Sequence, residues 1–131
     1  MNLLLDTHVA IWGILDDPRL PARIRHLIVD TDNTVSVSVV SVWEIAIKYR
    51  LARRGQGDMP LSGAESLAYF RQAGYTMLAI SAEHAVGVGR LPDHHTDPFD
   101  RLLVAQALSE PLHLITHDAA LAAYSDTVIL F

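Results

Sequence analysis

Leu3-Leu4-Leu5-Asp6-Thr7-His8, almost at the start of the chain, is an uninterrupted apolar run closed by an acid and two polar side chains. A strand with one wet face alternates apolar and polar residues, whereas a strand covered on both faces need not, and such strands belong to parallel sheets. Val9, Ala10, Ile11, Trp12, Ile14 and Leu15 follow at once and are stopped by Asp16-Asp17-Pro18, so a short apolar helix succeeds the strand directly. Asp6 then stands at the carboxyl end of a buried parallel strand. In open α/β sheets that is where sites form.

The same grammar runs on down the chain. A second helix follows Pro21, with Ile24, Leu27 and Ile28 as its inner face, and the β-branched alternation of residues 34–39 predicts a second strand. Ser41-Val42-Trp43-Glu44 has the spacing of a capping box for the next helix, which the glycine-bearing basic stretch Arg53-Arg54-Gly55-Gln56-Gly57 breaks. Residues 61–73 read as a helix with Gly74 as its C-cap, 75–80 as a third strand, and Ser81 starts a short helix ending near Gly87 or Gly89. Asp97-Pro98 opens a helix that runs to Ser109; residues 112–116 form a fourth strand, His117 to Leu121 a short helix, and 127–130 a last strand. Strands alternating with helices throughout predict a three-layer α/β/α fold, a central, mostly parallel sheet flanked by helices, in a single domain over residues 1–131.

Composition narrows the class. Half of the 131 residues are hydrophobic, there is no cysteine for a disulfide or a thiolate metal site, and no apolar run is long enough to span a membrane. We therefore expect a cytoplasmic protein. The formal charge of -5 argues against coating nucleic acid by bulk electrostatics. Lys48 is the single lysine, and arginines cluster at 19, 23 and 25 and again at 50, 53 and 54; Arg suits phosphate through its planar fork, although for any one cluster a solvated helix face is the better explanation.

Five acids can meet at one sheet edge: Asp6 after the first strand, Glu44 in the helix after the second, Asp97 and Asp100 at the start of the long helix, and Asp118 past the fourth strand. Each alone has a structural reading as a helix cap or a first-turn acid. Asp97 followed by proline fits a cap best. Asp100 heads the apolar stripe Leu103, Val104, Ala107 and Leu108, so it faces inward and needs partners. Carboxylates crowded together resist ionisation unless something positive sits among them, and a hard divalent cation such as Mg²⁺ or Mn²⁺ does this with oxygen ligands. Phosphodiester hydrolysis is the chemistry so favoured. Thr7, Ser38, Ser41 and Thr116 are placed to hydrogen-bond to the carboxylates. His8, His94, His95 and His117 neighbour the acids without a zinc spacing, so they are expected to support the site, contact substrate or lie exposed; His26, His84 and His113 are expected at the surface.

Four segments in order carry a resemblance: Leu4-Leu5-Asp6-Thr7-His8, residues 38–48 around Ser41 and Glu44, residues 95–107 with Asp97-Pro98-Phe99-Asp100-Arg101, and Leu114-Ile115-Thr116-His117-Asp118. Together they resemble the PIN-domain ribonucleases, and within them the VapC toxins of bacterial type II toxin–antitoxin modules. The resemblance implies a PIN fold and a metal-dependent endoribonuclease using Mg²⁺ or Mn²⁺, with Asp6, Glu44, Asp100 and Asp118 as catalytic and metal-binding acids. Asp97, Thr7, Thr116, Ser41 and Arg101 would support them. It also implies RNA as substrate, a cognate antitoxin as silencing partner and a homodimer. Arg101 and the 50–54 arginines could guide RNA, or Arg101 could pair with an acid.

The alternative within the family is a non-catalytic PIN domain that binds RNA or protein. A response-regulator module would place a lysine near the last strand, where none exists. A haloacid-type phosphatase would show a second aspartate two residues after Asp6, where His8 stands.

Overall fold

A computed structural model describes residues 1–131. Strand β1 (Asn2–Leu5) leads into helix α1 (Thr7–Leu15), followed by α2 (Ala22–Val29), β2 (Thr34–Ser38), α3 (Val39–Ala52) and α4 (Gly63–Gln72). The second half comprises β3 (Thr76–Leu78), α5 (Ala82–Val88), α6 (Pro98–Ser109), β4 (His113–Thr116), α7 (Ala119–Ala122) and β5 (Ile129–Leu130). All five strands are parallel, in the order β3-β2-β1-β4-β5. The sheet expected to be mostly parallel is wholly so.

Leu3, Leu4 and Leu5 are fully buried, and the pleat divides them. Leu3 and Leu5 join Val9, Trp12, Ile24, Ile45 and Phe70 on the face covered by α1 to α4. Leu4 joins Leu103, Val104, Ala107, Leu114 and Leu121 on the face covered by α6 and α7. A continuous apolar run was required because neither face meets water; each such side chain contributes about 1.5–3 kcal/mol on burial. The result is a helix–sheet–helix sandwich.

Chain order in the sheet fixes where a crevice opens. From β1 the chain steps outward to β2 and β3 on one side, then crosses back to add β4 and β5 on the other, so β1 and β4 are adjacent strands whose following segments leave toward different parts of the fold. Their carboxyl ends define the topological switch point. Asp6 continues the pairing one residue past β1, its N–H donating to the Ile115 carbonyl at 3.0 Å.

Two local expectations are corrected here. The helix after β2 begins at Val39, with Ser38 as N-cap accepting the Val40 N–H, so Ser41-Val42-Trp43-Glu44 is no capping box and both Ser41 and Glu44 lie within the helix on its buried side. The capping box of this half belongs instead to Ser62 and Glu65 at the start of α4. His84, expected at the surface, is 2% exposed: it caps α5 through Nδ1, which accepts from Ser81 N–H, while Nε2 meets Glu110 at 2.7 Å. Its partner is distant in sequence, so no local pattern announces the burial. The outer strands are also shorter than their β-rich runs, since an edge strand keeps only the residues that find a partner.

Candidate active site

An open cleft of about 670 Å³ lies at the switch point, lined by Asp6, Glu44, Asp97, Asp100 and Asp118 together with His8, His95, His117, Arg19 and Lys48. The five acids thus share one wall system, although they come from four separate segments. A larger groove of about 780 Å³ at the opposite end of the sheet carries one carboxylate, Asp30, and no basic side chain. The chemistry is concentrated at the switch point.

Asp6 stands in the N-cap position of α1, yet its side chain makes no capping hydrogen bond. It turns instead toward β4, where Thr116 Oγ1 donates to Oδ2 at 2.6 Å. Burial raises the Asp6 carboxyl above the usual carboxylate range and the Glu44 charge adds to this, while Thr116 and His8 pull the other way. Glu44 is 2% exposed, one turn into α3, and accepts from Thr7 Oγ1 at 2.7 Å; Thr7 also meets Ser41 Oγ at 2.8 Å. The other Glu44 oxygen pairs with Lys48 one turn further on. Burial works against the Lys48 ammonium, but the Glu44 carboxylate, with Asp97 and Asp100 behind it, holds its pKa above the ordinary value.

Asp97 and Asp100 divide their duties. Asp97 is the N-cap of α6, accepting from Phe99 N–H at 2.8 Å and Asp100 N–H at 3.2 Å, with Pro98 opening the helix. Asp100 has no capping role and projects into the cleft. Burial, then the carboxylates of Asp6, Asp97 and Glu44, push its pKa up to about 7, against the influence of His95. Asp118 uses one oxygen to cap α7 through Ala120 N–H and offers the other to His95 Nε2 at 2.8 Å. Its own N–H donates to Thr116 Oγ1 at 3.0 Å, so one threonine orders both β1 and β4 ends.

The Arg101 guanidinium pairs with neither the Asp97 nor the Asp100 carboxylate; the acid near it is the exposed Asp93, at 3.8 Å. The guanidinium spans the carbonyls of Val88, Leu91, Pro92 and His95 and the Tyr124 hydroxyl, stapling the loop between α5 and α6. The 50–54 arginines do not line the cleft; the cations that do are Arg19 and Lys48. Arg19 packs 4.9 Å above the Trp12 ring and pairs with Asp17, a placement legible only once α1 and the following turn are folded together.

Four interacting carboxylates, Asp6, Glu44, Asp97 and Asp100, have Lys48, His8 and His95 for compensation, and two of them are still held above their normal pKa. An all-oxygen set so short of positive charge fits Mg²⁺ or Mn²⁺, which prefer carboxylate and water ligands.

The model of the PIN domain family matches residues 3–126. The chain is a PIN domain. The PIN fold extends to solved structures over essentially the whole length: a Rickettsia felis VapBC2 complex bound to a DNA fragment from their promoter (18% identity, 100% of this chain and 98% of that one, TM-score 0.69), and a DNA-bound VapBC from Salmonella typhimurium (17%, 100% and 97%, 0.67). VapBC-5 of Mycobacterium tuberculosis, described as a member of the VapBC family of toxin–antitoxin systems, is similar at 23% identity over 98% and 96% with a TM-score of 0.59. At such identities the likeness is one of PIN fold. Comparison with curated protein sequences returns no match.

Proposed function

We propose that this PIN domain is a metal-dependent endoribonuclease acting as the toxin of a VapBC-type toxin–antitoxin pair. The observation that carries the reading is the cleft itself: Asp6, Glu44, Asp100 and Asp118 converge on one edge, and three of them forgo the simplest helix-terminal roles. Asp6 makes no capping bond, Glu44 sits inside its helix, and Asp100 leaves the capping to Asp97.

In this reading Asp6, Asp100 and Asp118 offer carboxylate oxygens to Mg²⁺ or Mn²⁺, with Glu44 as a fourth ligand or as the base that takes a proton from the attacking water. When bound, the ion supplies an activated water and neutralises charge on the phosphoryl oxygens. Thr116 fixes Asp6, and Thr7 with Lys48 fixes Glu44, so neither carboxylate has to reorganise as charge develops. Arg19 and Lys48 give the acidic cleft its cations for the RNA backbone.

The antitoxin is supported by the VapBC complexes among the structural relatives. A homodimer or another protein contact is supported by an exposed apolar stripe on α3, Val39, Trp43, Ile47 and Leu51, four residues apart, beside a small apolar groove at Phe99 and Leu102. No helix is long and apolar enough to cross a membrane, in keeping with action in the cytoplasm.

The test is cleavage of a mixed RNA pool by purified protein with Mg²⁺, Mn²⁺ or EDTA. Wild type should cut only with metal, and folded Asp6→Asn and Asp100→Asn variants should fall to background. RNA binding without metal-dependent cleavage would favour the non-catalytic alternative instead.

A further inference from the structure

His95 lies between two carboxylates borne on different elements. Its Nε2 stands 2.8 Å from Asp118 Oδ2 and 3.2 Å from Asp100 Oδ2. One ligand-capable atom from each of His95, Asp100 and Asp118 falls within 4.8 Å of the others, close enough for all three to hold an ion.

The far side of the ring argues against imidazole ligation. Nδ1 accepts the Asp97 backbone N–H at 3.1 Å. A neutral imidazole carries one N–H, so with Nδ1 accepting, the hydrogen resides on Nε2. Nε2 then has no lone pair to give and two carboxylate oxygens to donate to. The tautomer is hard to exchange, because the backbone of His95 is pinned at both ends. Its N–H donates to Tyr124 Oη at 2.9 Å and its carbonyl accepts from Arg101 Nη1 at 3.2 Å, while Arg101 also reaches the same Tyr124 oxygen at 3.1 Å. Placing a hydrogen on Nδ1 would set it against the Asp97 N–H within this fixed loop.

We propose that His95 is a positioning residue, locked as an Nε2–H donor, that gathers Asp100 and Asp118 for the metal without ligating it. The proposal rests on reading the cleft as a carboxylate metal site. Each carboxylate oxygen has two lone pairs, so a hydrogen bond from His95 leaves capacity for an ion. Without that donor the two acids, one in the first turn of α6 and the other at the cap of α7, would separate under mutual repulsion.

Three measurements on the full chain test this. Long-range ¹H–¹⁵N correlation spectra of the metal-free protein, with His95 assigned against His95→Gln, should report Nε2 protonated and Nδ1 bare. Pulsed EPR of the Mn²⁺-loaded protein should show no directly coordinated imidazole nitrogen. Calorimetric titration should find Mn²⁺ binding weakened about 10- to 100-fold in His95→Leu, the usual loss when a partner behind a ligand is removed, and largely rescued in His95→Gln, whose amide restores a donor.

A bare Nε2, a ¹⁴N coupling abolished by His95→Leu, or wild-type affinity in that variant would overturn the proposal. If His95→Leu fails to fold, the tautomer and the EPR of wild type still decide. Failure of wild type to bind Mn²⁺ would overturn the nuclease reading, and the tautomer, read without metal, would judge His95 separately.

Discussion

Replacing Asp100 with asparagine should stabilise the metal-free protein above neutral pH. The folded protein keeps the Asp100 proton to about pH 7, whereas an unperturbed aspartate releases it near 3.8. Between those values the folded state binds more protons than the unfolded state, so this group's contribution falls as pH rises and is lost by about pH 7. Charging a carboxyl that far from its normal range costs about 4 kcal/mol, of which about 3 kcal/mol accrues between pH 5 and pH 8. Asparagine keeps the shape and an acceptor for His95 without the charge. Urea unfolding in EDTA, followed by the fluorescence of Trp12 and Trp43, should show a variant-minus-wild-type difference that widens by about 3 kcal/mol from pH 5 to pH 8, or roughly 1–3 M in midpoint. Acids remote from the cleft titrate in both proteins and cancel, whereas Asp6, Asp97 and Glu44 are relieved of the same charge, so the difference belongs to the cluster. A difference that stays constant with pH would refute the electrostatic account of this site.

Asp97→Ala should remove the α6 cap at a cost of about 1 kcal/mol, read as a melting temperature lowered by about 4 °C, and should weaken Mn²⁺ binding less than Asp100→Ala does. Equal losses of affinity would mean that Asp97 also ligates. Arg101→Leu should leave the carbonyls of residues 88–95 short of a donor, costing about 3 kcal/mol and speeding hydrogen exchange across that loop; unchanged exchange there would remove Arg101 from its role as staple.

Much of this architecture is legible because it depends on near neighbours. Leu3-Leu4-Leu5 announces a strand covered on both faces, and the Asp97-Pro98 pair announces a helix start, because both signals lie within a few residues. Asp100 was legible as an inward acid from its place at the head of the stripe Leu103, Val104, Ala107 and Leu108, of which Leu108 proves exposed and the other three buried. The misreading of Ser41 and Glu44 has the same origin: their spacing satisfies a local rule, but Ser38 reaches the free N–H first and leaves Glu44 to be buried against Thr7, 37 residues away. His84, His95 and Arg101 could not be placed from local pattern. Their partners are Glu110, Asp118 and Tyr124, more than twenty residues away in each case, and no spacing rule connects such residues before the fold brings their elements together.

The bond from Thr116 to Asp6 spans 110 residues of chain. A ribosome adding about 5–20 residues per second therefore exposes Asp6 for roughly 5–20 s before Thr116 has been made. During that interval β1 has no β4 to pair with, and the Asp6 carboxylate has no Thr116 hydroxyl to accept from. The cleft comes into being only when residues as far along as Asp118 join those as early as Asp6. Whatever chemistry it performs waits until the segment that carries Thr116 and Asp118 has been made.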